Sequence, residues 1–126
     1  MRAVAVLTVF LGLFIWCGVQ VQHYLTATGQ RLEAAVQAVL ETAQAEKWSE
    51  AALQGEELQD LWRRTKDWWG FLTEHDEIDD INNTLSRLQG ALDSQDLAAA
   101  QAEALAALQL FRHIPEKEAF TVVNIL

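Results

Sequence analysis

Apolar positions beyond residue 31 fall at steps of three and four. Leu32, Ala35, Val36, Val39, Leu40 and Ala43 form the first such series, the mark of one buried face on an amphipathic helix. Leu58, Leu61, Trp62, Thr65, Trp69 and Leu72 form a second series, and Ile78, Ile81, Leu85, Leu88 and Leu92 a third. Leu97, Leu105, Leu108, Phe111 and an alanine-rich run give a fourth. The stretch "EKWS" at 46–49 breaks the first series and places Ser49 as an N-cap, while "DSQD" at 93–96 reads as a turn. No strand-like alternation appears anywhere, so the pattern predicts an all-α chain.

The series are not independent. Sliding the sequence by 49 residues lays Leu32, Val36, Val39 and Ala43 on Ile81, Leu85, Leu88 and Leu92. The same shift lays Lys47 and Trp48 on Asp96 and Leu97, Ala51 on Ala100, and Trp62 on Phe111. Each half is then a helical hairpin of similar plan, and two short-looped hairpins predict an antiparallel four-helix bundle around one core.

Ahead of the bundle the pattern changes. Ala3 to Val19, "AVAVLTVFLGLFIWCGV", carries no charge; as helix it rises about 26 Å, close to the roughly 30 Å of a hydrocarbon core. Ala3, Leu7, Phe10, Leu11, Phe14, Ile15 and Val19 are its lipid-facing candidates. A cleaved leader would need a shorter apolar run and a better small-x-small site than "LTATG" at 25–29. Residues 1–24 are therefore expected to be a transmembrane anchor and 25–126 a helical bundle with a short apolar tail. Arg2 precedes the span and the next fully charged cation is Arg31, which places the amino terminus inside the cell membrane and the bundle outside. The turns at 46–49 and 93–96 are then distal, while the joint at 70–77 and the chain end after His113 are membrane-proximal.

Charge narrows the partners. A formal net charge of −9 lacks the clustered Lys and Arg that a nucleic-acid backbone requires. Cys17, the only cysteine, lies inside the apolar run, so neither an internal disulfide nor a Cys-based zinc site can form. Thr8 and Gly12 make a small-x-x-x-small pair that would suit helix–helix contact in a membrane. No nucleotide loop, GxSxG elbow, HExxH or Ca²⁺ loop is present, and neither an enzyme nor a cofactor-binding protein is expected.

The chemically suggestive residues gather in "WWGFLTEHDEIDDI" at 68–81. His75 and Asp79 stand four apart, and the bundle topology returns His113 and Glu116 toward them. His75, Asp79, His113 and Glu116 are thus a candidate metal set. The competing reading is structural: Asp76 with Asp79 approximates a capping box, acids suit a helix N-terminus, and His113 suits the end of the fourth helix. Trp68 and Trp69 are adjacent and point about 100° apart, so one of them is expected at the surface beside the cations of "WRRTKDWW", either in the headgroup layer or against ordinary solvent. Pro115 is expected to open a short helix or an extended strand. The tail "AFTVVNIL" is too apolar to be disordered, and packing back on the bundle is its default.

The order Trp62, Trp69, "HDEIDDI", "LSRLQGAL" and the final "HIPEKEAFTVVNIL" resembles a bacterial family, domain of unknown function 4363 (DUF4363). The resemblance covers nearly the whole chain and is strongest from Trp48 onward. It implies a small single-pass membrane protein, mostly of Gram-positive and often spore-forming bacteria, frequently encoded beside polytopic membrane proteins. It implies no reaction. Together the residues and the resemblance lead us to expect an extracytoplasmic accessory module for a membrane-protein partner, anchored in lipid by its first helix. Trp68, Trp69, His75, His113, Phe120, Ile125 and Leu126 would form its interaction surface, with a metal-binding protein and a structural homodimer as the alternatives.

Overall fold

The computed structural model describes the backbone of residues 1–125 and the side chains of residues 1–117. Four helices occupy almost all of it: α1 (Arg2–Gln44), α2 (Trp48–Leu72), α3 (His75–Asp93) and α4 (Leu97–Ile125). Each helix packs on the next and α4 packs back on α1, which closes an antiparallel four-helix ring. There is no strand among the described residues. The core follows the first three series: Leu32, Val36 and Val39 of α1, Leu58, Trp62 and Trp69 of α2, and Ile81, Leu85 and Leu88 of α3 are all buried.

Membrane-length segment and bundle helix are one element. α1 runs unbroken from Arg2 to Gln44. Its first buried side chain is Leu25, and Val4 to Val19 project from the bundle with their apolar side chains exposed. No proline interrupts the run, and Thr8, its one hydroxyl residue before Val19, donates to the carbonyl of Val4 at 2.8 Å, so no polar group is left unsatisfied along it.

The two distal turns are geometric copies. Glu46 and Gln95 adopt positive φ, 58° and 56°. After α1 the N–H of Lys47 reaches the carbonyl of Thr42 and that of Glu46 reaches Ala43; after α3, Asp96 reaches Ala91 and Gln95 reaches Leu92. Both are Schellman turns, whose crossed bonds satisfy carbonyls at a helix end and leave one residue left-handed. Their equivalent residues lie 49 positions apart, as the repeat predicts. The Schellman bonds displace Ser49 from the N-cap: α2 begins at Trp48, its N-cap is Lys47, and no side chain caps it. On the second hairpin Asp96 does cap, accepting from the N–H of Ala99 at 3.1 Å.

Two expectations for α4 fail. Leu105 faces outward, 57% exposed, while Ala100, Ala104, Ala107 and Leu108 take the core positions; the buried stripe runs through the alanines because α4 must approach bulky neighbours such as Trp62 closely. Nor does the helix end near His113. It passes through Pro115 to Ile125. A proline inside a helix removes one hydrogen bond and orphans the carbonyl four residues earlier, here that of Phe111. α1 packs closely at this place: an added Cβ at Gly29 would stand 3.2 Å from the Phe111 oxygen and 3.2 Å from Pro115 Cγ. Without a side chain at Gly29 the two helices close over the proline. The amide of Gln22 also donates to the Pro115 carbonyl at 3.4 Å.

Candidate interaction surface

The end of the bundle nearest the projecting part of α1 is built from the α2–α3 joint, the middle of α1 and the later turns of α4. Its interior is aromatic. Trp62 and Trp69 meet edge-on with centroids 5.6 Å apart, and Phe111 lies 5.8 Å from Trp62 and 6.2 Å from Trp69. Each indole finds a partner on another helix: Trp62 Nε1 donates to Asn82 Oδ1 at 2.7 Å, and Trp69 Nε1 donates to Thr28 Oγ1 at 2.9 Å. Buried indole N–H groups need such partners, so these bonds fix the register of α2 against both α3 and α1.

This geometry separates the adjacent tryptophans. Trp69 is 0% exposed and belongs to the core, which removes it from the expected interaction surface. Trp68 is 64% exposed, and Phe71, which was not among the expected site residues, is 84% exposed with its ring 6.4 Å from that of Trp68. Their i,i+3 spacing on a helix ending in "WWGFL" was the available signal, masked by a second series that continued plausibly through Trp69 to Leu72.

The joint itself is tied by one ion-paired cluster. Lys117 on α4 reaches Glu77 at 3.0 Å and Glu74 at 3.4 Å, and the Thr73 hydroxyl donates to the other oxygen of Glu77. Burial alone would raise the Glu77 carboxyl. The Thr73 hydroxyl, the Lys117 ammonium and the Glu74 backbone N–H outweigh it and hold Glu77 below its ordinary value. The Glu77 hydrogen bond, ahead of the opposing cost of desolvation, raises Lys117. Glu74 is the N-cap of α3 and makes no side-chain cap bond. Glu77, at the third position of the helix, turns back to its N–H, which is half of a capping box. The box therefore sits on Glu74 and Glu77 rather than on Asp76 and Asp79, because α3 starts at His75.

The candidate metal set is dispersed. His75, Asp79, His113 and Glu116 are all exposed. His113 lines a groove between α3 and α4 with Asp80, Asn83, Thr84 and Arg87, whereas Glu116 lines the opposite groove, between α4 and α1, with Gln22 and Thr26. Three residues apart on one helix, they diverge into different grooves. Among the described residues no three His, Cys, Asp or Glu side chains gather as a metal site. The side chains of Phe120, Ile125 and Leu126 lie outside those described.

Ala3, Leu7, Phe10, Leu11, Phe14, Ile15 and Val19 are exposed around the projecting part of α1, and Cys17 is an exposed free thiol among them. This is the one described helix long and apolar enough to cross a membrane, and none of its apolar window is buried against the bundle. Neither a curated protein nor a solved structure matches the chain. A sequence family described as "Domain of unknown function (DUF4363)" does match, over residues 19–125. That match begins where the projecting segment ends and takes in the paired Schellman turns, the aromatic core and the Lys117 cluster, and the chain accordingly belongs to the DUF4363 family.

Proposed function

We propose that this protein is a membrane-anchored accessory module, its bundle held outside the membrane and its membrane-proximal end turned to a polytopic protein in the same bilayer. The observation that carries the reading is the projecting half of α1: apolar, unburied, and continuous with a bundle helix. A soluble protein exposing so long an apolar stripe would aggregate or bind something, and its length suits a hydrocarbon core. Because no loop separates the two halves, the bundle is carried rigidly at a fixed angle to the span. Arg2, with no other full positive charge before Arg31, favours the inner side for the start of the projecting segment. Exposed His75 and His113 mark the proximal end as the surface for contact with that protein.

Co-purification of the full chain from detergent extracts tests the reading, with removal of residues 119–126 as the comparison. A membrane protein that accompanies the full chain and is lost on truncation supports it. If no membrane protein accompanies either form, the accessory role is wrong. An outside-active reporter fused after Leu126 should be active, and a reporter silent there but active when designed for the cytoplasm would invert the topology.

A further inference from the structure

We infer that the C-terminal end of α2, with Phe71 foremost and Trp68 one turn behind it, lies against the lipid headgroup layer and that the bundle tilts toward α2. The inference rests on the anchoring proposed above and names the surface that lipid, rather than protein, covers. Arg64, Trp68 and Phe71 are spaced four and three apart, so they share a face at the C-terminal end of α2, and all three are exposed. Their height above the membrane follows from one hydrogen bond. Trp69 Nε1 to Thr28 Oγ1 sets the last turns of α2 level with residues 24–28 of α1, and α2 descends from there. Phe71 is thus level with about residue 26 of α1, two residues beyond Tyr24, itself exposed.

From Val19, the last exposed apolar residue of the projecting run, to Tyr24 is about 7.5 Å of helix. The interfacial layer on each side of the hydrocarbon is roughly 5–8 Å deep. Tyr24 therefore falls within it, where aromatic rings concentrate in membrane proteins, and Phe71, about 10.5 Å beyond Val19, stands just outside. Trp68 is one turn farther out. A span tilted by about 20° lowers a neighbouring helix standing 8–10 Å away by roughly 3 Å, enough to bring the Phe71 ring into the layer if the tilt is toward α2. A tilt away from α2 instead lifts Phe71, 84% exposed, farther into water.

Charge identifies the kind of lipid surface. Glu74, Asp76 and Asp79 are exposed at the adjoining joint, and the chain carries net −9. Attraction to anionic lipid is thereby opposed, so the contact is one of aromatic insertion into a zwitterionic headgroup layer.

Collision spin labelling of the full chain in phosphatidylcholine nanodiscs tests this. In a Cys17→Ala background, single labels are placed at Phe71→Cys, at Val9→Cys within the projecting helix, and at Leu105→Cys on the outer face of α4. All three positions are exposed, so labelling leaves the fold intact. Dioxygen partitions into lipid and a neutral nickel chelate into water. Label 71 should show a dioxygen-to-nickel collision ratio several-fold above that of label 105 and approaching that of label 9. If label 9 reads as lipid while label 71 matches 105, or is shielded from both probes, the inference falls and the anchoring stands. If label 9 itself matches 105, the anchoring falls and takes the inference with it.

Discussion

At the scale of single residues, adjacent tryptophans illustrate how a helix partitions chemistry. Trp69 closes the core and Trp68 faces out. Trp69→Ala removes a fully buried indole and its bond to Thr28, and should cost about 3–5 kcal/mol. Trp68→Ala should stay within about 0.5 kcal/mol. Urea unfolding of the full chain in detergent, followed by circular dichroism, compares them, and equal losses would contradict the assignment. Glu77 and Lys117 make stability depend on pH at both extremes. A carboxyl whose folded pKa is depressed contributes stability above its unfolded value and loses it as pH falls through the folded one. The Glu77 contribution should therefore be complete above its ordinary 4.5 and decline below it. Lys117, raised above 10.5, contributes fully below that value and loses its share as pH rises through the folded pKa. Glu77→Gln should flatten the acid limb of stability against pH, and an unchanged limb would show that other carboxyls dominate it.

At the scale of elements, the hairpins were legible because helix periodicity and the 49-residue offset are both carried by side-chain type. The stops were less legible. Schellman turns most often announce themselves with glycine, yet Glu46 and Gln95 hold the left-handed position here. An L-residue in that region carries a penalty of roughly 1–2 kcal/mol, partly offset because glycine has more unfolded-state entropy to lose. Glu46→Gly and Gln95→Gly should each stabilise the bundle by about 0.5–1 kcal/mol, and by similar amounts since the turns are equivalent. Thermal unfolding of the two variants checks both the sign and the equality. α4 was misread for the opposite reason: Pro115 is a strong local breaker, yet the helix runs through it, packed closely against Gly29, 86 positions earlier in the chain.

At the scale of the whole molecule, α1 joins an exposed apolar segment to the bundle without a hinge. Its projecting part makes no buried contact with the bundle, so removing residues 1–19 should leave the bundle folded, helical and soluble without detergent. Circular dichroism should give the unfolding midpoint of the full chain within a few degrees. A fragment that needs detergent or melts far earlier would mean that the segment belongs to the fold. Closure of the ring depends on α4 meeting α1, through Gly29 against Phe111 and Pro115 and through Arg112 to Glu33 at 3.4 Å. At the corresponding place in the other hairpin pair, Trp62 bonds Asn82, so related positions use different chemistry to the same end.

The all-α class, the membrane-length segment, the two hairpins and most of the buried stripe were determined by the sequence alone, because hydrophobic period and the absence of breakers are local properties. The candidate site was legible only as a region. Tertiary packing decided which tryptophan is core, that His113 and Glu116 diverge, that Lys117 closes on Glu74 and Glu77, and that α4 passes through its proline. Those outcomes depend on rotation about helix axes and on contacts between residues far apart in the chain. A shift of one residue turns a helical side chain by about 100°, so it moves between core and surface while the pattern of types barely changes. The acidic joint that resembles a ligand set in the linear chain is, in three dimensions, a helix start held by one lysine beside an aromatic edge.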